Sequence, residues 1–176
     1  MAAATGFDST HHHWKIIIMK TILTLNASFL FLCVSMYLGT GWSFALFSFP
    51  VAPTLNVNDY YPVFVPEVAA ATNFFTPMTK LMFVSSFIMI LAEWKTCYRW
   101  VPIVVLLALI AATVLTLHWI FPVNAEMSNG IKDQVELQRV LASWISYNKI
   151  RVALWTLEWA VMMFYFARKS CPPKTI

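Results

Sequence analysis

Charge is what this chain has least of. Of its 176 residues 11% are charged, against about a quarter in a soluble domain, whose surface must stay wet. That deficit excludes a water-covered globule, and a 60% hydrophobic content calls for lipid over most of the surface. Glycine is scarce too, and no glycine-rich phosphate-binding loop can be found. The three cysteines, Cys33, Cys97 and Cys171, lie far apart with no C-x-x-C pair, which argues against a disulfide framework. Apart from the run His11-His12-His13, which lacks nearby Cys or carboxylate ligands, the only histidine is His118. A bis-histidine haem or a histidine-rich metal centre is therefore disfavoured, and neither metal nor cofactor is expected. The net charge of +4 sits at the ends of apolar runs rather than on one face, so nucleic acid is not an expected partner. There is no internal repeat and no low-complexity tract.

What the chain has instead is long apolar runs. Crossing roughly 30 Å of hydrocarbon takes about 20 apolar residues, and four stretches qualify, at about 21–49, 76–92, 101–121 and 148–167. The first is too long for a signal peptide and meets Pro50 where a small-residue cleavage site would fall. Thr76-Pro77 offers a cap and a first-turn proline for the second. The third runs from Val101-Pro102 to Phe121-Pro122. No glycine or proline separates Ile131 from Cys171, so the fourth helix is expected to be continuous from Lys132 to Ala167 and to protrude beyond the membrane. The fold class expected is all-α: an integral membrane four-helix bundle in a single domain, with residues 1–18 as a peripheral cytoplasmic extension. Residues 50–75, with four prolines and the apolar Tyr60–Pro66 cluster, are expected to form an exoplasmic lid loop. Leu137, Val140, Leu141 and Trp144 share a helical face that would pack against that lid.

Orientation follows from the basic residues. Lys15, Lys20, Lys95, Arg99, Arg168, Lys169 and Lys174 fall on one side, while the stretch from Pro50 to Thr76 carries Asp59 and Glu67 and no Lys or Arg. The positive-inside rule then puts both termini in the cytoplasm of a cell or inner membrane. Trp14, Trp94, Tyr98, Trp100, Trp119, Tyr147 and Tyr165 are expected in interfacial belts.

Polar groups inside spans cost free energy and mark candidate sites. Trp144, Asn148, Arg151, Trp155, Glu158 and Met162 recur every three or four residues and share one helical face. At about 1.5 Å per residue, Arg151 lies roughly 25 Å above Arg168 and Glu158 about 15 Å above it, near the midplane, too far apart for direct pairing. A midplane carboxyl must be neutral or paired. His118 and Asn124 at the end of helix three, and Lys80 at the start of helix two, should lie at the depth of Arg151. The ligand-binding set expected is Lys80, His118, Asn124, Trp144, Asn148, Arg151, Trp155 and Glu158. Of these, His118, Arg151 and Glu158 are the candidates for any catalysis.

Phe121-Pro122-Val123-Asn124, followed by Trp144-x3-Asn148-x2-Arg151 at the head of the last helix, resembles the DUF1772, or anthrone-oxygenase-like, family of small four-helix membrane proteins. The likeness covers mainly the C-terminal half. It implies a cofactor-free oxygenase acting on an anthrone-like polycyclic aromatic, with Arg151, Asn148 and His118 stabilising an enolate oxygen and His118 or Glu158 taking the proton. The residues taken alone favour another reading: a non-catalytic accessory subunit of a membrane complex, or a protein binding a hydrophobic small molecule. Its partners would then be the bilayer and other membrane subunits or a second copy. The orientation is checked with a membrane-impermeant thiol reagent on intact cells. A Cys placed at Asn58 or Gly130 is expected to react and Cys171 is not; labelling of Cys171 would reverse the topology.

Overall fold

The computed structural model of the chain describes residues 6–169, with side chains from Trp14 onward. Among these residues there are helices and turns but no strand. The elements in chain order are α1 (Gly6–Ser43), a π-turn (Phe44–Ser48), α2 (Phe49–Val51), a 3-10 turn (Ala52–Thr54), α3 (Tyr60–Glu93), α4 (Trp100–Leu115), a second π-turn (Thr116–Ile120), α5 (Phe121–Ser128) and α6 (Gln134–Lys169). They make four rods long and apolar enough to cross a membrane: Trp14–Thr54, Tyr60–Glu93, Trp100–Ser128 and Gln134–Lys169. Each rod packs on the next, α1 on α3, α3 on α4 and α4 on α6, and α6 closes the ring on α1. Short connections between consecutive neighbours give an up-down-up-down bundle.

The rods are apolar on every side. Ile22, Leu25, Phe29 and Leu32 of α1, Leu81, Val84, Phe87 and Leu91 of α3, and Leu107 and Ile110 of α4 are all exposed. A helix bundle in water would carry charge on those faces. The interior holds a cluster around Leu30, Val34, Met82, Met89, Val101, Val105 and Met162, and a second around Phe49, Tyr60, Phe64, Met127, Leu137, Leu141 and Trp144.

Three boundaries differ from the sequence reading. Helix two starts at Tyr60, not Thr76, so most of residues 50–75 is helix rather than lid loop, and Pro66 and Pro77 lie inside it. Only residues 55–59 connect without helix. There the Asn56 side-chain oxygen accepts the backbone N–H groups of Asn58 and Asp59 at 2.9 and 3.2 Å, an Asx-turn that launches α3. Helix three does not stop at Pro122 but continues through α5 to Ser128, which places Asn124 inside a helix. The N-terminal segment expected as a separate extension is, from Gly6 onward, the start of α1.

The two π-turns share a cause. Each is followed by Phe-Pro-Val, Phe49-Pro50-Val51 in one case and Phe121-Pro122-Val123 in the other. Proline has no N–H to donate and its ring crowds the carbonyl four residues back. A wider turn just ahead carries the rod past that clash, with Phe49 N–H bonding Phe44 O and Phe121 N–H bonding Thr116 O.

The ends of the bundle are built differently. At the basic end, the carboxylate of Glu93, 5% exposed, accepts hydrogen bonds from Tyr165 Oη (2.7 Å), Thr96 Oγ1 (2.7 Å) and Lys169 Nζ. This ties α3 to α6. Tyr165 is thus buried rather than part of an interfacial belt, whereas Trp14, Trp94, Trp100 and Trp119 are exposed. At the opposite end, Gln134 and Gln138 both donate to Leu55 O at 3.1 Å, and Tyr60 Oη bonds Met127 O and the Ile131 N–H. Between the ends, Asn26 and Ser85 exchange hydrogen bonds of 3.0 and 2.9 Å across α1 and α3.

Helices α1 and α6 approach closely where Gly41 faces Trp155. A Cβ on residue 41 would lie 2.8 Å from Trp155 Cε3 and 3.1 Å from Val152 Cγ2, whereas one on Gly39 would meet nothing within 4 Å. Gly41→Ala is therefore expected to lower stability by about 1–3 kcal/mol, read as a lower thermal midpoint in detergent. Gly39→Ala, which relieves only a helix-propensity penalty, is expected to leave the midpoint unchanged or raise it.

Candidate functional site

Between the two ends the four rods enclose a cavity of about 300 Å³. Its walls come from Tyr37, Thr40 and Phe44 on the first rod, Val68 to Phe83 on α3, Leu109 to Asn124 on the third rod, and Trp144, Arg151 and Trp155 on α6. Both π-turns contribute, through Phe44 and through Thr116, Leu117 and Ile120. Such local widenings of a helix recur at functional sites. Among the lining residues, Thr76 and Lys80 of α3 and Leu117 of the second π-turn are exposed. The mouth therefore lies sideways between α3 and the third rod, rather than at an end of the bundle.

Polar groups in the wall are few. Tyr37 Oη donates to Thr79 Oγ1 at 2.6 Å and lies 3.1 Å from Phe75 O, which Thr79 itself bonds. Its ring packs on Phe75 and Trp155, with centroids 4.6 and 4.8 Å away. Thr72, Thr76, Thr79, Thr113 and Thr116 return their hydroxyl hydrogens to carbonyls one turn earlier on their own helices, so their oxygens retain accepting capacity. Arg151 lies with its guanidinium carbon 4.6 Å from the centre of the Trp155 ring. Its sole hydrogen bond is from Nη1 to Thr116 Oγ1 at 3.5 Å, at the weak limit for such a bond. Its Nε is shielded from solvent and has no partner, and neither has the side-chain oxygen of Asn124. The ion pairs among the described residues join Arg139 to Glu126 and Glu136, and Lys169 to Glu93. Neither Arg151 nor Lys80 has a carboxylate opposite it.

Of the expected set, the cavity brings together Lys80, Asn124, Trp144, Arg151 and Trp155. His118 shares the depth of Arg151, since Thr116 in its π-turn bonds that arginine. Its side chain nevertheless faces outward, exposed and 5.8 Å from the Trp119 ring. Leu109, Ala112, Thr113, Thr116 and Ile120 face inward at three- and four-residue spacing, which leaves residue 118, two positions after Thr116, on the outer side of the rod. Asn148 is fully buried but turns its amide back to Trp144 O at 2.8 Å and does not line the cavity. Glu158 is likewise fully buried, outside the cavity wall, with neither carboxyl oxygen bonded. The run His11-His12-His13 lies outside the described side chains, and no cluster of potential metal ligands occurs among those described.

Tyr37 and the threonines were not singled out by the sequence. The spacing of Thr72, Thr76 and Thr79 on one face of α3, and of Thr113 and Thr116 on the third rod, carries the signal. Comparison of the chain with protein-family models, curated proteins and solved structures gives no match. The site is accordingly read from its own chemistry.

Glu158 yields a test of what a buried polar group does here. A buried carboxyl with no hydrogen bond costs roughly 1–3 kcal/mol, and an apolar residue of similar size removes that cost. Glu158→Met is expected to raise the thermal midpoint in detergent and Glu158→Ala, which leaves a void, to lower it. Glu158→Gln keeps the shape and should fall between them. A lower midpoint for Glu158→Met would mean that the carboxyl has a bonded partner in the folded protein.

Proposed function

We propose that the chain is a non-catalytic polytopic membrane protein that holds a hydrophobic small molecule in the cavity beside Arg151. In this reading the four rods cross the bilayer with both termini in the cytoplasm. The hydrogen bonds Asn26–Ser85 and Tyr37–Thr79 set α1 antiparallel to α3. That alignment carries Lys15 and Lys20 to the end that holds Lys95, Arg99, Arg168 and Lys169, the side that the positive-inside rule assigns to the cytoplasm. Rods of 34 and 36 residues are about 50 Å long and extend well past a hydrocarbon layer of roughly 30 Å.

The observation that carries the functional reading is the wall of the cavity. It is mostly apolar by area, and two polar atoms of its residues, Arg151 Nε and Asn124 Oδ1, are left without partners. Ligand sites have this character, and buried polar atoms in a folded protein are otherwise nearly always satisfied. A mouth between α3 and the third rod would open toward the acyl chains, the phase in which an apolar ligand is dissolved. The oxygenase implied by the DUF1772 resemblance draws less support, because neither His118 nor Glu158 lines the cavity and no His, Asp or Glu does.

Trp144 and Trp155 in the wall supply the assay. In nanodiscs of phosphatidylcholine, a brominated dodecanol is expected to quench tryptophan fluorescence with a saturable component. That component should fall in Trp155→Phe, which leaves Trp144 as the reporter, and vanish in Ala112→Phe, whose ring would occupy the cavity. Quenching that rises linearly with probe, and is the same in Ala112→Phe as in the unaltered chain, would overturn the reading.

A further inference from the structure

We infer that the molecule held in this cavity is an amphipathic anion, with a carboxylate or phosphate head on Arg151 and an apolar body against the aromatic wall. The inference rests on the ligand-binding reading above and adds the charge and polarity of the ligand. It comes from the imbalance of charge around the cavity. Two cations, Arg151 and Lys80, line it, and no carboxylate does. A guanidinium has five N–H donors in a planar fork. In Arg151 one of them makes a long bond to Thr116 and the Nε–H makes none, although that atom is shut off from solvent. Glu158, seven residues along the same helix, is not bonded to it. A guanidinium N–H shut off from water without an acceptor is costly, and a two-oxygen anion matches the fork of an arginine with two parallel hydrogen bonds.

The surroundings fix the head in one place. Trp155 covers one face of the guanidinium at 4.6 Å, which leaves the edge with its N–H groups free to meet a ligand. Lys80 stands at the exposed mouth, where a flexible ammonium attracts an anion without shaping a pocket for it. The Asn124 amide can turn either its oxygen or its NH2 group to the ligand, accepting from a hydroxyl or donating to an oxyanion. Phe44, Phe75, Phe83, Leu109, Ile120 and Phe121 offer hydrocarbon to the body of the ligand, between the hydroxyls of Tyr37 and the wall threonines. About 300 Å³ is at the small end for ligand pockets, so the enclosed body is a single chain or a compact ring system.

The test compares two probes that share one tail, brominated dodecyl phosphate and brominated dodecanol, by saturable tryptophan quenching in phosphatidylcholine nanodiscs. The phosphate is expected to bind about tenfold or more tightly than the alcohol, the usual worth of a charge-assisted hydrogen bond. Arg151→Gln should bring the phosphate down to the affinity of the alcohol and leave the alcohol unchanged. Arg151→Lys should retain part of the preference. Because the alcohol arm reports an intact cavity, a folding failure of Arg151→Gln is recognised by loss of both signals, and Lys80→Gln, at the rim, then serves as the charge variant with an expected loss of severalfold. Equal affinities for phosphate and alcohol in the unaltered chain would overturn this inference and leave the ligand-binding reading standing. Absence of saturable quenching by either probe would overturn both. Nanodiscs containing phosphatidic acid separate the sources of the head group: competition by that lipid assigns the head to a membrane lipid, and no competition assigns it to a free amphiphile.

Discussion

Trp155 can sit at the centre of this bundle only because residue 41 has no side chain. The indole lies in the gap that Gly41 leaves between α1 and α6, and the rest of the site is arranged around it. Tyr37, one turn before Gly41, rests its ring on the indole and hydroxyl-bonds α3; Arg151, one turn before Trp155, lays its guanidinium on it. Removing the indole would free the arginine from its apolar shelf and the tyrosine from its stop. A single close approach between two helices thus fixes the position of the polar groups of three of the four rods, the third rod joining through Thr116. Between rods as apolar outside as inside, contact geometry of this kind carries the packing.

The fold class was legible in the sequence because it depends on totals. A chain with so few charges, in four apolar runs joined by short polar segments, has few ways to satisfy its backbone other than a helical bundle of this size. The continuous last helix was legible for a local reason, since nothing between Gln134 and Lys169 interrupts it. The stripe from Trp144 through Met162 followed from periodicity, and all of it is buried except Arg151, which is partly so.

The boundaries are harder to read because proline usually marks the end of a helix and here does not. Pro66 and Pro77 lie within α3, and Pro50 and Pro122 lie just after π-turns that carry the chain past them. In water each of these would be a good place to end a helix. Where the neighbourhood is apolar, ending a helix exposes more unsatisfied backbone than bending one does, so the helix goes on. The cavity is only half legible because depth alone does not say which face of a rod a residue takes: Thr116 faces inward beside Arg151, and His118, two positions on, faces out. Glu93 went unnoticed because its partners, Tyr165 and Lys169, are more than 70 residues away in sequence.

The distribution of satisfied and unsatisfied groups separates stability from function. At the basic end, the buried carboxylate of Glu93 has three donors, and at the opposite end Tyr60, Gln134 and Gln138 close the backbone of the connectors. Those ends, with Asn26 and Ser85 between α1 and α3, hold the rods in register. In the middle, Arg151 Nε and Asn124 Oδ1, on two residues of the cavity wall, have nothing to bond. Each such atom costs roughly 1–3 kcal/mol, comparable with a sizeable share of a small protein's stability of about 5–15 kcal/mol. A sequence that needed only to pack would replace Arg151 with leucine, which suits both Trp155 and the surrounding hydrocarbon. The arginine makes physical sense when its missing acceptors arrive from elsewhere. The firmly tied ends keep the cavity open until they do.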